Sequence, residues 1–187
     1  MKRLNNLFDK IVDRDNIELA DVKARRNKRN RYGILKHDKT HDLDNYILEL
    51  LLKFGLYKTS KYDTFKIYEP KERIIYRLPY YPDRILHHAI MNIMESIWIN
   101  IFTKDTYSCI RGRGIHSLLN NLTFDLRKDP NGTRYCAKMD IKKFYPSIDH
   151  DILKIIIRKK VKDKKLLFIL DEIIDSASGV PIGNYLS

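Results

Sequence analysis

Apolar residues along this chain recur mostly at helical spacing. Leu43, Ile47, Leu50, Leu51 and Phe54 mark one helix, and Gly55 stands just past its end as a stop. Thr64 to Tyr68 and Arg73 to Leu78 are instead β-branched and aromatic-rich. With Glu69-Pro70-Lys71-Glu72 between them they predict a hairpin with a polar tip. Beyond Pro79 and Pro82, the residues Ile85, Leu86, Ala89, Ile90, Ile93, Met94, Ile97, Trp98 and Ile101 form one apolar stripe. That stripe predicts a helix of about five turns facing a core. Arg111-Gly112-Arg113-Gly114 reads as a loop feeding a helix through Leu118, Leu119 and Leu122. Asn131-Gly132 signals a turn, and Tyr135 to Asp140 reads as a short strand with no sheet partner in evidence. Asp149 is placed to cap a helix starting near Asp151, and Leu166, Leu167, Leu170, Ile173 and Ile174 carry a last helix. The pattern is α+β, and no domain linker interrupts it.

Charge changes the picture next. The 187 residues carry a formal net charge of +12. Lys23, Arg25, Arg26, Lys28, Arg29, Arg31 and Lys36 follow one another without an acid between them. Arg158, Lys159, Lys160, Lys162, Lys164 and Lys165 form a second cluster with Asp163 alone against them. Either cluster alone is as well read as a solvated face. Two clusters and the net charge together point to a polyanion, since Lys and Arg on phosphates release condensed counterions. No apolar run reaches the roughly 20 residues of a membrane span, and the charged start has no signal-peptide core behind it. A soluble cytoplasmic protein is expected. Cys109 and Cys136 lack metal-ligand spacing, so zinc is not expected, and they fit a reducing compartment as half-buried residues.

The segment richest in chemistry is Lys138-Met139-Asp140-Ile141-Lys142-Lys143-Phe144-Tyr145-Pro146. A carboxylate at a strand end, with a backbone carbonyl next to it, is well placed to hold a divalent metal. Two such ions clamp the reacting oxygens in nucleotide polymerisation. The alternative is an Asp that merely caps the turn into Phe144 and Tyr145.

Five stretches in order resemble the reverse transcriptase family. Glu69-Pro70-Lys71-Glu72-Arg73-Ile74-Ile75 is similar to its first fingers block, and Leu78-Pro79-Tyr80-Tyr81-Pro82-Asp83-Arg84-Ile85-Leu86-His87-His88-Ala89 to the second. Tyr107-Ser108-Cys109-Ile110-Arg111-Gly112-Arg113-Gly114-Ile115-His116 resembles the block that precedes the palm. The Asp140 segment resembles the first palm motif, and Gly179-Val180-Pro181-Ile182-Gly183-Asn184-Tyr185-Leu186-Ser187 the fourth block. Many members, including group II intron enzymes, carry Gln between the Pro and Gly of that block. Ile182 resembles the form found in diversity-generating retroelements.

The resemblance implies a right-hand polymerase fold. Residues 1–133 would form a basic extension and the fingers, and residues 134–187 the first part of a palm whose sheet is incomplete. It implies an RNA-directed DNA polymerase that uses a two-Mg²⁺ site, a template RNA, a DNA primer and deoxynucleoside triphosphates, with an accessory protein of the same element as a further partner. Asp140 would be the catalytic metal ligand beside the Ile141 carbonyl. Tyr145 would gate the sugar, and Lys71, Arg73, Ile182 and Gly183 would line the nucleotide. Lys23, Arg25, Arg26, Lys28, Arg29, Arg111 and Arg113 would contact nucleic acid. Lys71 is equally an ordinary exposed lysine, and Arg73 could pair with Glu69 or Glu72. Asp83 and Arg84 read as a structural ion pair, and His87 and His88 as packed or surface residues. The family's Tyr-x-Asp-Asp turn and thumb are not among the 187 residues. A truncated chain, inactive alone, is the expectation. The rival readings are a group II intron or retron-type enzyme and a non-catalytic RNA-binding module.

Overall fold

The computed structural model describes residues 3–68 and 71–187, so the hairpin tip at Glu69 and Pro70 lies outside the described residues. The chain divides into two units, one of residues 1–93 with 143–187, the other of residues 94–142.

In the first unit, α1 (Phe8–Ile11) and α2 (Arg14–Ala24) lead through a basic turn to α3 (Tyr32–His37) and α4 (His41–Lys53). Asp13 caps α2 by accepting from the Asp15 N–H. The strands β1 (Asp63–Tyr68) and β2 (Glu72–Arg77) pair antiparallel, with Phe65 opposite Ile75 and Asp63 opposite Arg77. A turn over Tyr80–Arg84 opens α5 (Ile85–Ile99). The unit closes with α7 (His150–Arg158) and α8 (Lys164–Asp175), capped by Asp149 and Asp163. Ile11, Ile17, Leu48, Leu52, Ile85, Leu86, Ile90 and Leu166 are nearly or completely buried and form its core.

The structure adds to one expectation and corrects two. Helix α4 exists, but its buried positions are Asn45, Leu48 and Leu52, while Leu43, Ile47 and Phe54 are exposed. The helix is apolar on two sides, and the core takes the side of Leu48 and Leu52. Asp83 does not pair with Arg84. Buried, it accepts from the Tyr57 hydroxyl at 2.7 Å and the Ser60 N–H at 3.1 Å, while the Arg84 guanidinium donates to the Leu78 carbonyl. The stripe after Pro82 gives a 15-residue helix, about four turns.

The second unit holds the end of α5 and α6 (Ile115–Lys128), none of whose residues is buried. Residues 135–140 are irregular and exposed, not a strand. A strand satisfies its backbone groups through a neighbour, and among the described residues the hairpin is the one sheet. Cys109 and Cys136 are exposed, not half-buried. No described helix is long and apolar enough to cross a membrane.

Candidate nucleotide and nucleic-acid interface

The hairpin and the residues from Gly179 onward are held together in the first unit. The Tyr76 N–H, on β2, donates to the Ile182 carbonyl at 2.8 Å. Gly183 follows with φ +110°, and a Cβ there would lie 2.8 Å from Ile75 Cγ2 and 3.1 Å from the Tyr76 carbonyl. Only glycine fits both the backbone and the space. Three residues earlier, the Val180 N–H donates to the Tyr145 carbonyl at 2.9 Å. A Cβ on Gly179 (φ +63°) would sit 2.6 Å from that same carbonyl oxygen. The His150 ring closes the joint, its Nε2 2.9 Å from the Gly179 carbonyl. The strap from Gly179 to Gly183 thus touches the Tyr145 turn at one end and β2 at the other.

Three of the residues expected to line a nucleotide, Tyr145, Ile182 and Gly183, are connected in this way. Arg73 is exposed on β2, and Lys71 is exposed just before it. Neither has an ion pair among the described residues. Glu72 pairs with Lys66 at 2.6 Å instead, which leaves Arg73 without that partner. Ile182 is half-buried beside β2, and Tyr145 lies in a single turn, Tyr145–Ser147, with its ring about one-third exposed. Beyond Gly183, the Tyr185 ring stacks on His88, centroids 3.8 Å apart and planes at 16°. Burial first, then Lys28, Lys23 and Arg84, push the His88 pKa down to about 4. His88 is therefore a neutral ring within reach of the basic segment's field.

That basic segment is concave. Val22, Lys23, Arg26, Asn27, Lys28, Arg29, Asn30 and Arg31 line a cavity of about 910 Å³. Arg26, Lys28, Arg29 and Arg31 are exposed, and Lys23 Nζ donates to Asn92 at 2.6 Å. Arg25 is placed differently. Its guanidinium spans Asp21 and Asp38, both at 2.6 Å, with the side chain mostly covered. In the second cluster, Arg158 pairs with Asp171 and Lys165 lies over the Phe8 ring, while Lys159, Lys162 and Lys164 are exposed.

Asp140 and Ile141 belong to the second unit and are both exposed. In the same unit Arg111 is exposed, Gly112 takes φ +80°, and Arg113 donates to the Thr103 carbonyl at 3.3 Å. Mg²⁺ takes about six oxygens. Asp140 and the Ile141 carbonyl offer two, and among the described residues Asp140 belongs to no cluster of three or more ligating side chains. The residues fit one point of attachment and not a two-ion site.

The strap–hairpin contact escaped the sequence reading because its partners are a hundred residues apart. A buried polar group on α2, α3 and α4 escaped it as well, although Glu18-x-x-Asp21 and His37-x-x-x-His41 are its visible traces.

No family model matches the chain. It is 26% identical over 121 residues to the group II intron-encoded protein LtrA of Lactococcus lactis subsp. cremoris, covering 59% of this chain and 20% of that protein. It is 24% identical over 93 residues to nuclear intron maturase 1, mitochondrial, of Arabidopsis thaliana, covering 50% and 12%. The chain thus spans a fifth or less of the length of these curated relatives. This weak homology, over about half the chain, supports kinship with the reverse transcriptases and maturases of group II introns.

Proposed function

We propose that this chain supplies the nucleotide-facing and template-facing elements of an RNA-directed DNA polymerase of the diversity-generating type. The observation that carries the reading is the strap. The Ile182 carbonyl bonded to Tyr76, with Gly183 pressed on Ile75, supports a surface on which Lys71 and Arg73 meet a triphosphate. Tyr145, tied to the other end of the strap, would press on the sugar. Ile182 offers shape but no donor or acceptor where a Gln would offer both. Looser control of the nascent pair follows from that loss. Asp140 and the Ile141 carbonyl would take one face of a Mg²⁺ ion, which supplies charge neutralisation at the transferring phosphate.

The basic concavity supports a second reading, a maturase-like RNA holder that needs no catalysis. Binding of a fluorescent deoxynucleoside triphosphate to the 187-residue protein, in the presence of a template RNA–primer DNA duplex, separates the two. The polymerase reading expects duplex-dependent nucleotide binding, weakened about tenfold or more by Lys71→Ala with Arg73→Ala. Duplex binding without any nucleotide binding would favour the RNA holder.

A further inference from the structure

Inside the first unit, α2, α3 and α4 bring two imidazoles and two carboxylates together. The His37 ring is fully buried, and its Nδ1 lies 2.9 Å from Asp44 Oδ2, an oxygen that also accepts from the Thr40 hydroxyl. In the neutral ring that contact puts the proton on Nδ1 and leaves Nε2 with a bare lone pair. Nε2 has no hydrogen-bond partner, although Asp21 Oδ1 faces it at 3.6 Å. His41 repeats the arrangement. Its Nδ1 is 2.9 Å from Asp42 Oδ1, and its Nε2 points inward, 3.3 Å from Asp21 Oδ2, 3.1 Å from Glu18 Oε2 and 3.2 Å from Asn45 Nδ2.

A lone pair facing a carboxylate in a buried site is repulsive unless a cation lies between them. An imidazolium at His41 would satisfy Glu18 and Asp21 and still leave His37 Nε2 bare. Distances decide what kind of cation fits. Zinc–nitrogen and zinc–oxygen bonds of about 2.0–2.2 Å put neighbouring ligands of a tetrahedron roughly 3.3–3.5 Å apart. Here the Asp21 oxygens stand 3.3 and 3.6 Å from the two Nε2 atoms, and one ligand atom from each of Asp21, His37 and His41 lies within 4.8 Å of the others. Each imidazole is oriented by a carboxylate on its far nitrogen, the usual support of a metal-bound histidine. Asp21 is itself held, by the Tyr80 hydroxyl and by Arg25.

We propose that Asp21, His37 and His41, with a water as the fourth ligand, form a site for one zinc-class divalent ion that pins α2, α3 and α4 around the basic turn. Two nitrogens and two oxygens in a tetrahedron suit zinc or cobalt(II) and not magnesium. The site involves neither Asp140 nor the hairpin, so it stands apart from the polymerase reading.

The test uses untagged, chelator-treated protein carrying Cys109→Ser and Cys136→Ser, so that the exposed thiols take no part. Expected are one bound Zn²⁺ per chain, visible absorption bands of tetrahedral Co²⁺, and a Tm raised by roughly 5–10 °C at a zinc concentration about 100 times Kd. Millimolar Mg²⁺ should not reproduce the shift. His41 is partly exposed, so His41→Gln should fold, as circular dichroism will confirm, and lose both bands and shift. Absence of tetrahedral Co²⁺ bands in the parent protein, which needs no variant, would overturn the proposal. So would a Tm shift that survives His41→Gln.

Discussion

The His88 imidazole lies flat on the Tyr185 phenol ring, 3.8 Å between centroids, and this stack fastens the residues after Gly183 to the first turn of α5. Burial, with cationic neighbours, lowers the pKa of His88 to about 4, and burial with His88 and Arg84 does the same to His87. Between about pH 4 and 6.5 the unfolded chain therefore binds more protons than the folded one. Stability from these rings is present above 6.5 and falls as pH drops toward 4. His88→Phe keeps the stack and removes one titration. Its urea midpoint should fall less steeply between pH 6.5 and 4 than the parent's. An unchanged slope would show that His88 is protonated in the fold.

Gly183→Ala should lower stability by about 1–3 kcal/mol, because φ +110° is strained for alanine and the new Cβ meets Ile75 and Tyr76. Gly112→Ala is the matched control. It also has a positive φ, but no atom lies within 4 Å of its Cβ position, so a smaller loss is expected. Equal losses in urea denaturation would mean that the contact with β2 contributes nothing.

Nucleic-acid binding should weaken by orders of magnitude between about 50 and 200 mM salt if several phosphates are contacted. Arg26→Ala, Lys28→Ala and Arg29→Ala combined should flatten that dependence. Arg25→Ala should act on folding instead, since Arg25 spans Asp21 and Asp38. Anisotropy titrations at several salt concentrations, with Tm measured alongside, separate the two effects. A full loss of salt slope in Arg25→Ala at unchanged Tm would reverse the assignment.

Asp163 accepts from the backbone N–H groups of Leu7 and Phe8 at 2.8 and 2.9 Å, and from Leu166 at the start of α8. Burial works against its charge, but these amides outweigh it and hold its pKa below the usual carboxylate range. Its contribution is present at neutral pH and is lost as pH falls through that lowered value. Asp163→Ala removes a cap and strands two further donors, a loss of about 2–4 kcal/mol by urea denaturation. A loss under about 0.5 kcal/mol would mean that water replaces the carboxylate.

Helices α4 to α8 and the hairpin were legible because each is written in a local period, whereas α1, α2 and α3 were not read, and the Asp149 cap was legible because it acts three residues away. What failed was set by distant partners. Nothing local told which side of α4 the core would take, nor that Tyr57 and Ser60 would reach Asp83 before Arg84 did. Tyr135 to Asp140 has the composition of a strand, but a strand is a property of two segments, and none pairs with it among the described residues. In the candidate site, the residue types of the hairpin and strap were readable. The bond from Tyr76 to Ile182 that joins them was not.

The bonds from Leu7 and Phe8 to Asp163 span more than 150 residues, and Leu4 pairs with Val161 beside them. A ribosome adding about 5–20 residues per second takes roughly 10–30 s to travel from one partner to the other. Throughout that interval Leu7 and Phe8 lack the carboxylate that accepts their N–H groups, and the Phe8 ring lacks Lys165 above it. The contacts that fasten the first helix to α8 are thus among the last that synthesis permits.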